Sequence, residues 1–167
     1  MSISILRQLL QQYSVLVNKS GKNAQYKYKT FYELVLEIGQ EMKPTTTPKE
    51  LMGQPKNCYY NCQLIAFEHP DLTYCEGFTL SNNMPFPLAH AWLLDHSGMV
   101  IEPTWEEPAQ AYIGIPFSIA FVKSILKERE DKKRSNYLSL FECNHLEGYS
   151  FLKEGLPSEA YYVLEKG

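Results

Sequence analysis

The chain lacks most of the features that mark membrane, nucleic-acid or nucleotide proteins. It has no run of about 18 apolar residues, so its sequence gives no expectation of a membrane-spanning helix. Lys and Arg total 16 against 19 Asp and Glu, a net charge of −3, and this leaves no electrostatic footprint for nucleic acid. The densest charged run, Lys127 to Arg134, mixes both signs and reads as a solvated helix end. No glycine-rich phosphate loop follows a strand pattern, and no carboxylate pair is fixed at a working separation. Nucleotide chemistry and a two-carboxylate hydrolase therefore lack a motif. The opening MSISILRQLLQQYSVLVN carries Arg7 and several Gln and has no small-residue cleavage site, so a secretory signal is not expected and the cytoplasm is the expected compartment. In that setting the four cysteines read as reduced thiols, not as a disulfide framework.

What is present describes a folded α+β protein. The apolar share is 44 % and the charged share 21 %, a balance that supports a core and argues against disorder. At 167 residues a single domain is expected, with a helical N-terminal region over 1–45, a chemical core over 54–117 and a C-terminal helix with an irregular segment over 118–167. Helical periodicity predicts a helix over 4–17 and, behind the capping box of Thr30 and Glu33, a second over 31–42. The KPTTTPK stretch over 43–49 reads as an extended linker. A helix from Cys58 to near Glu68 follows, then a strand over 72–80 with Tyr74, Glu76 and Phe78 on one face and Thr73, Cys75 and Gly77 on the other. Beyond a hairpin near residue 97, YIGIPF predicts a further strand and 118–132 a helix. SEAYYVL over 158–164 suits either a short helix or an edge strand.

Residues 57–105 carry the chemistry. Asn57 is a good N-cap residue, which puts Cys58 at the first helical position, where unpaired N–H groups and the helix dipole favour a thiolate and offer donors to an oxyanion. A nucleophile there needs a base, and the base needs an acceptor that fixes its tautomer. His90 and Glu102 fit these roles if the hairpin register lets them meet. A two-residue loop would place them on opposite faces. A three-residue loop, His96-Ser97-Gly98 with Gly98 left-handed, sets Trp92 opposite Glu102 and makes His90 its diagonal neighbour.

The Cys-led helix, then HAW, an apolar strand, a turn, a second strand and EPTW resemble the Cys…His…Asp order of the transglutaminase-like superfamily, relatives of papain-type cysteine proteases. The likeness covers residues 54–117 and departs from the family at Glu102, where an Asp is usual. It implies a papain-like or transglutaminase-like core, a Cys-bearing helix packed on a short antiparallel sheet with flanking helices. It also implies acyl transfer on amides by Cys58, His90 and Glu102, whether protease, deamidase or transamidase, on a peptide, protein or small amide substrate. Gln54 and Asn57 are possible oxyanion donors on this resemblance, and Glu76, Trp92 and Tyr112 complete the candidate substrate-binding set; for Gln54 the plain alternative is a loop residue. No cofactor and no metal are expected.

Two other readings stand beside this one. The same fold could serve as a non-catalytic binding module. Alternatively, Cys58, Cys62, His69 and Cys75 could converge on a structural zinc ion, although their spacing is unlike the usual tight-turn pair.

Overall fold

The computed structural model describes residues 2–134 and 137–162. Helix α1 (Ser2–Val17) buries Leu6 and Leu10 completely and gives way to a 3-10 turn that Gly21 ends at φ 62°. Helix α2 (Phe31–Ile38) starts at the expected capping box: Thr30 Oγ1 accepts from Glu33 N at 3.1 Å, and the Glu33 carboxylate reaches back to the N–H of Lys29. The helix does not continue to Met42. It stops at Gly39, whose N–H bonds Val35 O and whose backbone is extended, and residues Gln40–Met42 form edge strand β1. A side chain at position 39 would have its Cβ 2.3 Å from Val35 O, so only glycine lets the chain turn so close to the helix end.

The strands form one antiparallel sheet in the order β1-β5-β2-β3-β4, with β2 Thr73–Leu80, β3 Leu88–Leu94, β4 Val100–Ile101 and β5 Ala111–Pro116. Central β2 is buried along its whole length, and its alternation divides two cores. Tyr74, Phe78 and Leu80 join the larger core, which runs from Leu6 in α1 to Ala160 and draws on the N-terminal, central and C-terminal regions alike. Cys75 joins a smaller core on the opposite face with Met42, Trp92, Leu94, Val100 and Tyr112.

The chain leaving β1 covers this second core. Val100 N donates to Lys43 O at 2.8 Å and Thr45 N donates to Val100 O at 3.0 Å, so the segment that follows one edge strand is bonded to the strand at the other edge. The sheet thus curls around Trp92. Gly114 makes room for that ring, since a Cβ there would lie 2.5 Å from the indole.

Helix α4 (Ile119–Asp131) is opened by Ser118, and α5 (Ser150–Glu154) follows a loop held by two buried charges. Arg129 forms a fork with Glu147 at 2.7 and 2.9 Å and donates to Ser139 O. Glu76, 1 % exposed in mid-β2, accepts from Tyr74 OH, Ser139 Oγ and the N–H groups of Leu140 and Phe141. In the 158–164 stretch, Ser158–Ala160 is a 3-10 turn and Tyr161 bridges Phe117; Val163 and Leu164 lie outside the described residues. Among the described residues no helix is long and apolar enough to cross a membrane.

Glu76 is the charge on which the C-terminal loop is hung. All four of its partners are donors, so Glu76→Gln sets an amide N–H₂ against them and leaves buried groups unpaired. We expect this substitution to lower the unfolding free energy by about 3 kcal/mol, measured by denaturant titration. A loss under about 0.5 kcal/mol would contradict this role.

Candidate active site

The β3–β4 hairpin fixes the geometry. Leu93 pairs with Ile101 and Leu94 with Val100, Asp95 N donates to Met99 O at 3.0 Å, and Gly98 adopts φ 75°. The loop is therefore the three-residue one, His96-Ser97-Gly98. The Asp95 carboxylate accepts from the N–H groups of Ser97 and Met99, which gives this acid a turn-forming task. Carried one residue past β4, the register sets Glu102 across from Trp92 and diagonal to His90. His90 Nε2 and Glu102 Oε2 are 2.9 Å apart, with both side chains buried.

Glu102 is held from several directions. Tyr112 OH donates to Oε2 at 3.0 Å and Thr104 N to Oε1 at 3.1 Å. Tyr112 OH itself accepts from Ala109 N, which orients its proton toward the carboxylate. Thr47, within the supposed linker, pins the backbone: its Oγ1 accepts from Glu102 N at 2.8 Å and donates to Glu102 O at 3.2 Å.

Cys58 begins helix α3 (Cys58–Glu68) as expected, but the cap differs. Asn57 occupies the N-cap position and its C=O accepts from Asn61 N at 2.8 Å, but its side chain does not cap the helix; the side-chain amide donates to Gln54 Oε1 at 3.2 Å. The first-turn N–H groups are thus left without a side-chain cap. The loop leading to Cys58 is held instead by Asn61, one turn into α3. Asn61 accepts from Gln54 N, donates to Gln54 O at 2.8 Å and donates to Thr104 Oγ1 at 3.1 Å. Gly53 lies flat against it, where a Cβ would come within 2.4 Å, and Gly53 N donates to Pro103 O. Lys56 is left-handed at φ 65°, a strained position for a non-glycine residue two places before Cys58.

With Nε2 engaged by Glu102, the other ring nitrogen of His90 remains for a second partner. The half-buried Cys58 thiol stands beside the imidazole and raises its proton affinity; the formed hydrogen bond of His90 is the one to Glu102. Burial would push the imidazole down, but Cys58 and Glu102 together outweigh it and lift the His90 pKa to about 9. Trp105 lies flat on the imidazole, ring centroids 3.9 Å apart and planes 9° from parallel.

Three expected substrate contacts are corrected. Glu76 belongs to the larger core, on the opposite face of β2 from Cys75, with both oxygens bonded to its loop. Trp92 is fully buried, and its Nε1 donates to Met42 Sδ at 3.1 Å. Tyr112 is also fully buried and touches Glu102, so it positions the acid and has no surface for a substrate. The zinc reading fails on geometry: among the described residues no three His, Cys, Asp or Glu side chains converge as a metal site. Thr47, Asn61, Thr104 and Trp105 were not singled out for the site from sequence. Trp105 lies in EPTW and could have been noticed; an Asn inside an otherwise ordinary helix is a weaker signal. A scan of protein-family models, a search of curated proteins and a search of solved structures each gave no match.

Because the folded imidazole holds its proton more tightly than the ordinary value of 6.5, the stabilisation it brings is complete below about pH 6.5 and is lost as pH rises through about 9. The denaturation midpoint should therefore fall between pH 6.5 and 9. In Glu102→Gln the midpoint should start lower and change less over that range. Parallel curves for the two proteins would contradict the linkage.

Proposed function

We propose that the protein is a cysteine hydrolase or acyltransferase acting on amide bonds, on a core of the papain-like or transglutaminase-like kind. The observation that carries this reading is the line of thiol, imidazole and buried carboxylate made by Cys58, His90 and Glu102. An imidazole kept protonated to about pH 9 is the counter-ion that a neighbouring thiolate needs at neutral pH, and Glu102 holds it in one orientation.

In this mechanism the Cys58 thiolate attacks the carbonyl carbon and the C=O electrons move onto oxygen. The oxyanion is stabilised by the uncapped N–H groups at the start of α3, with Gln54 as an additional donor, since its oxygen is taken by Asn57 and its NH₂ remains. As the carbonyl re-forms, the C–N bond breaks and His90 gives its proton to the departing amine, leaving a thioester. Water or a second amine then attacks the thioester and passes a proton to His90, and the C–S bond breaks to restore the ion pair. Trp105 shields one face of the imidazole from water, and Tyr112 and Thr104 keep the acid in place.

Thiol labelling tests this directly. Burial pushes the thiols of Cys62, Cys75 and Cys143 up, and the first two are fully enclosed. Iodoacetamide should therefore modify Cys58 first at pH 7, and His90→Ala should slow that reaction at least about tenfold. Equal labelling of Cys58 and Cys143, or no effect of His90→Ala, would point to a binding module with no reactive thiol. On any amide substrate found, Cys58→Ala should abolish turnover, and retained activity would defeat the assignment.

A further inference from the structure

The loop that delivers Cys58 is fixed more firmly than a connection between two elements requires. Asn61, one turn into α3 and 4 % exposed, uses its whole amide on that loop and its neighbour. Its Oδ1 accepts from Gln54 N at 3.1 Å, and its Nδ2 donates to Gln54 O at 2.8 Å and to Thr104 Oγ1 at 3.1 Å. Both backbone groups of Gln54 are therefore held by one partner, as an antiparallel strand would hold them. Gly53 closes the clamp from behind: a Cβ there would lie 2.4 Å from Asn61 Cγ, and its N–H donates to Pro103 O at 2.7 Å. Two local penalties accompany this arrangement. Asn is a poor residue inside a helix because its amide competes for backbone groups, and Lys56 is left-handed at φ 65° without being glycine. Strain of this kind persists where the surroundings hold a segment for a task. We infer that Asn61 is a positioning residue for the oxyanion site: it holds Gln54 and the open start of α3 in place and does not set the reactivity of the thiol. This inference rests on the acyl-transfer reading of Cys58.

The hydrogen bonds divide the two tasks. The Asn61 amide bonds Gln54 and Thr104 and reaches neither the thiol nor the imidazole. If it is removed, Glu102 keeps His90, Tyr112 OH and Thr104 N as partners, so the pairing of thiol, imidazole and carboxylate survives. An oxyanion, by contrast, exists only while a carbonyl is being attacked, and its donors act only if they already point at the developing charge. Those donors are the uncapped N–H groups of α3 and the NH₂ of Gln54. Asn57 is the residue best suited to fill the same N–H groups, but its side chain turns back to Gln54 Oε1, on the residue whose backbone Asn61 clamps. Without the clamp Gln54 moves, Asn57 loses that bond, and its side-chain oxygen is free to cap the helix and compete with the oxyanion. The bond to Thr104 completes the frame, because Thr104 N also donates to Glu102 Oε1 and so keeps the donors in register with the base.

Two reagents on the full chain separate these tasks. Iodoacetamide is attacked at a saturated carbon and forms no oxyanion, so its rate reads the thiolate alone. p-Nitrophenyl acetate is attacked at its carbonyl: the C–S bond forms, charge passes onto oxygen, and the C–O bond then breaks as p-nitrophenolate leaves with its electron pair. With Cys58→Ala as the blank, Asn61→Ala should slow acetylation of Cys58 at least about tenfold, while alkylation stays within about twofold of wild type. Gly53→Ala, which displaces the loop from its exposed side, should give the same split if Asn61→Ala does not fold. Equal slowing of both reactions in a folded variant would place Asn61 among the supports of the thiolate, and unchanged acetylation would leave the clamp without a task. Either result overturns the inference and leaves Cys58 as the nucleophile. Rapid alkylation of the wild-type thiol with no acetylation would mean that there is no oxyanion site to position. A Cys58 inert to both reagents would remove the acyl-transfer reading and this inference with it.

Discussion

The interaction on which the rest depends is the hydrogen bond between His90 and the buried carboxylate of Glu102. A carboxylate removed from water is costly unless donors replace its hydration, and here they come from separate parts of the chain. His90 is supplied by β3, Tyr112 by β5 and Thr104 by the loop after β4, while Thr47 fixes the main chain from the segment that crosses between the sheet edges. The curl of the sheet brings these segments to one point. Gly114 permits the curl by leaving space for Trp92, and Asn61 carries the constraint onward by linking the Thr104 loop to the loop before Cys58.

The larger core performs a different task with the same device. Glu76 and Arg129 are both buried, and each is satisfied largely by the loop between α4 and α5, so a segment with little regular structure becomes a fixed wall. That wall, with the start of α2, encloses an apolar cavity on the larger-core face of the sheet. The terminal regions thus bound that cavity, whereas Cys58, His90 and Glu102 come from the middle of the chain.

Much of this arrangement can be read from sequence wherever local rules govern. The capping box at Thr30, the Cys58 helix, the alternation in β2 and the left-handed Gly98 each follow from a few neighbouring residues, and the hairpin register then places His90 near Glu102. What escapes is what depends on tertiary pairing. Residues 39–42 continue a helical pattern, yet Gly39 and the pairing with β5 turn them into a strand whose Met42 faces the second core. KPTTTPK has the composition of a linker, and nothing nearby reveals that Thr47 holds the acid. Glu76 has no local neighbour to disclose its partners, which lie more than sixty residues away in the chain. Trp92 and Tyr112 lie beside His90 and Glu102, and their full burial, which no local pattern reveals, makes them supports and not contacts.

The proton affinity of His90 measures this arrangement most directly. In ¹⁵N-labelled protein the His90 ring nitrogens can be followed by NMR as pH is raised. The account predicts that the imidazole stays protonated to about pH 9, and that replacing Cys58 by Ala or Glu102 by Gln lowers its titration point. A ring that titrates near the ordinary 6.5, unmoved by either substitution, would mean that thiol, imidazole and carboxylate do not act on one another.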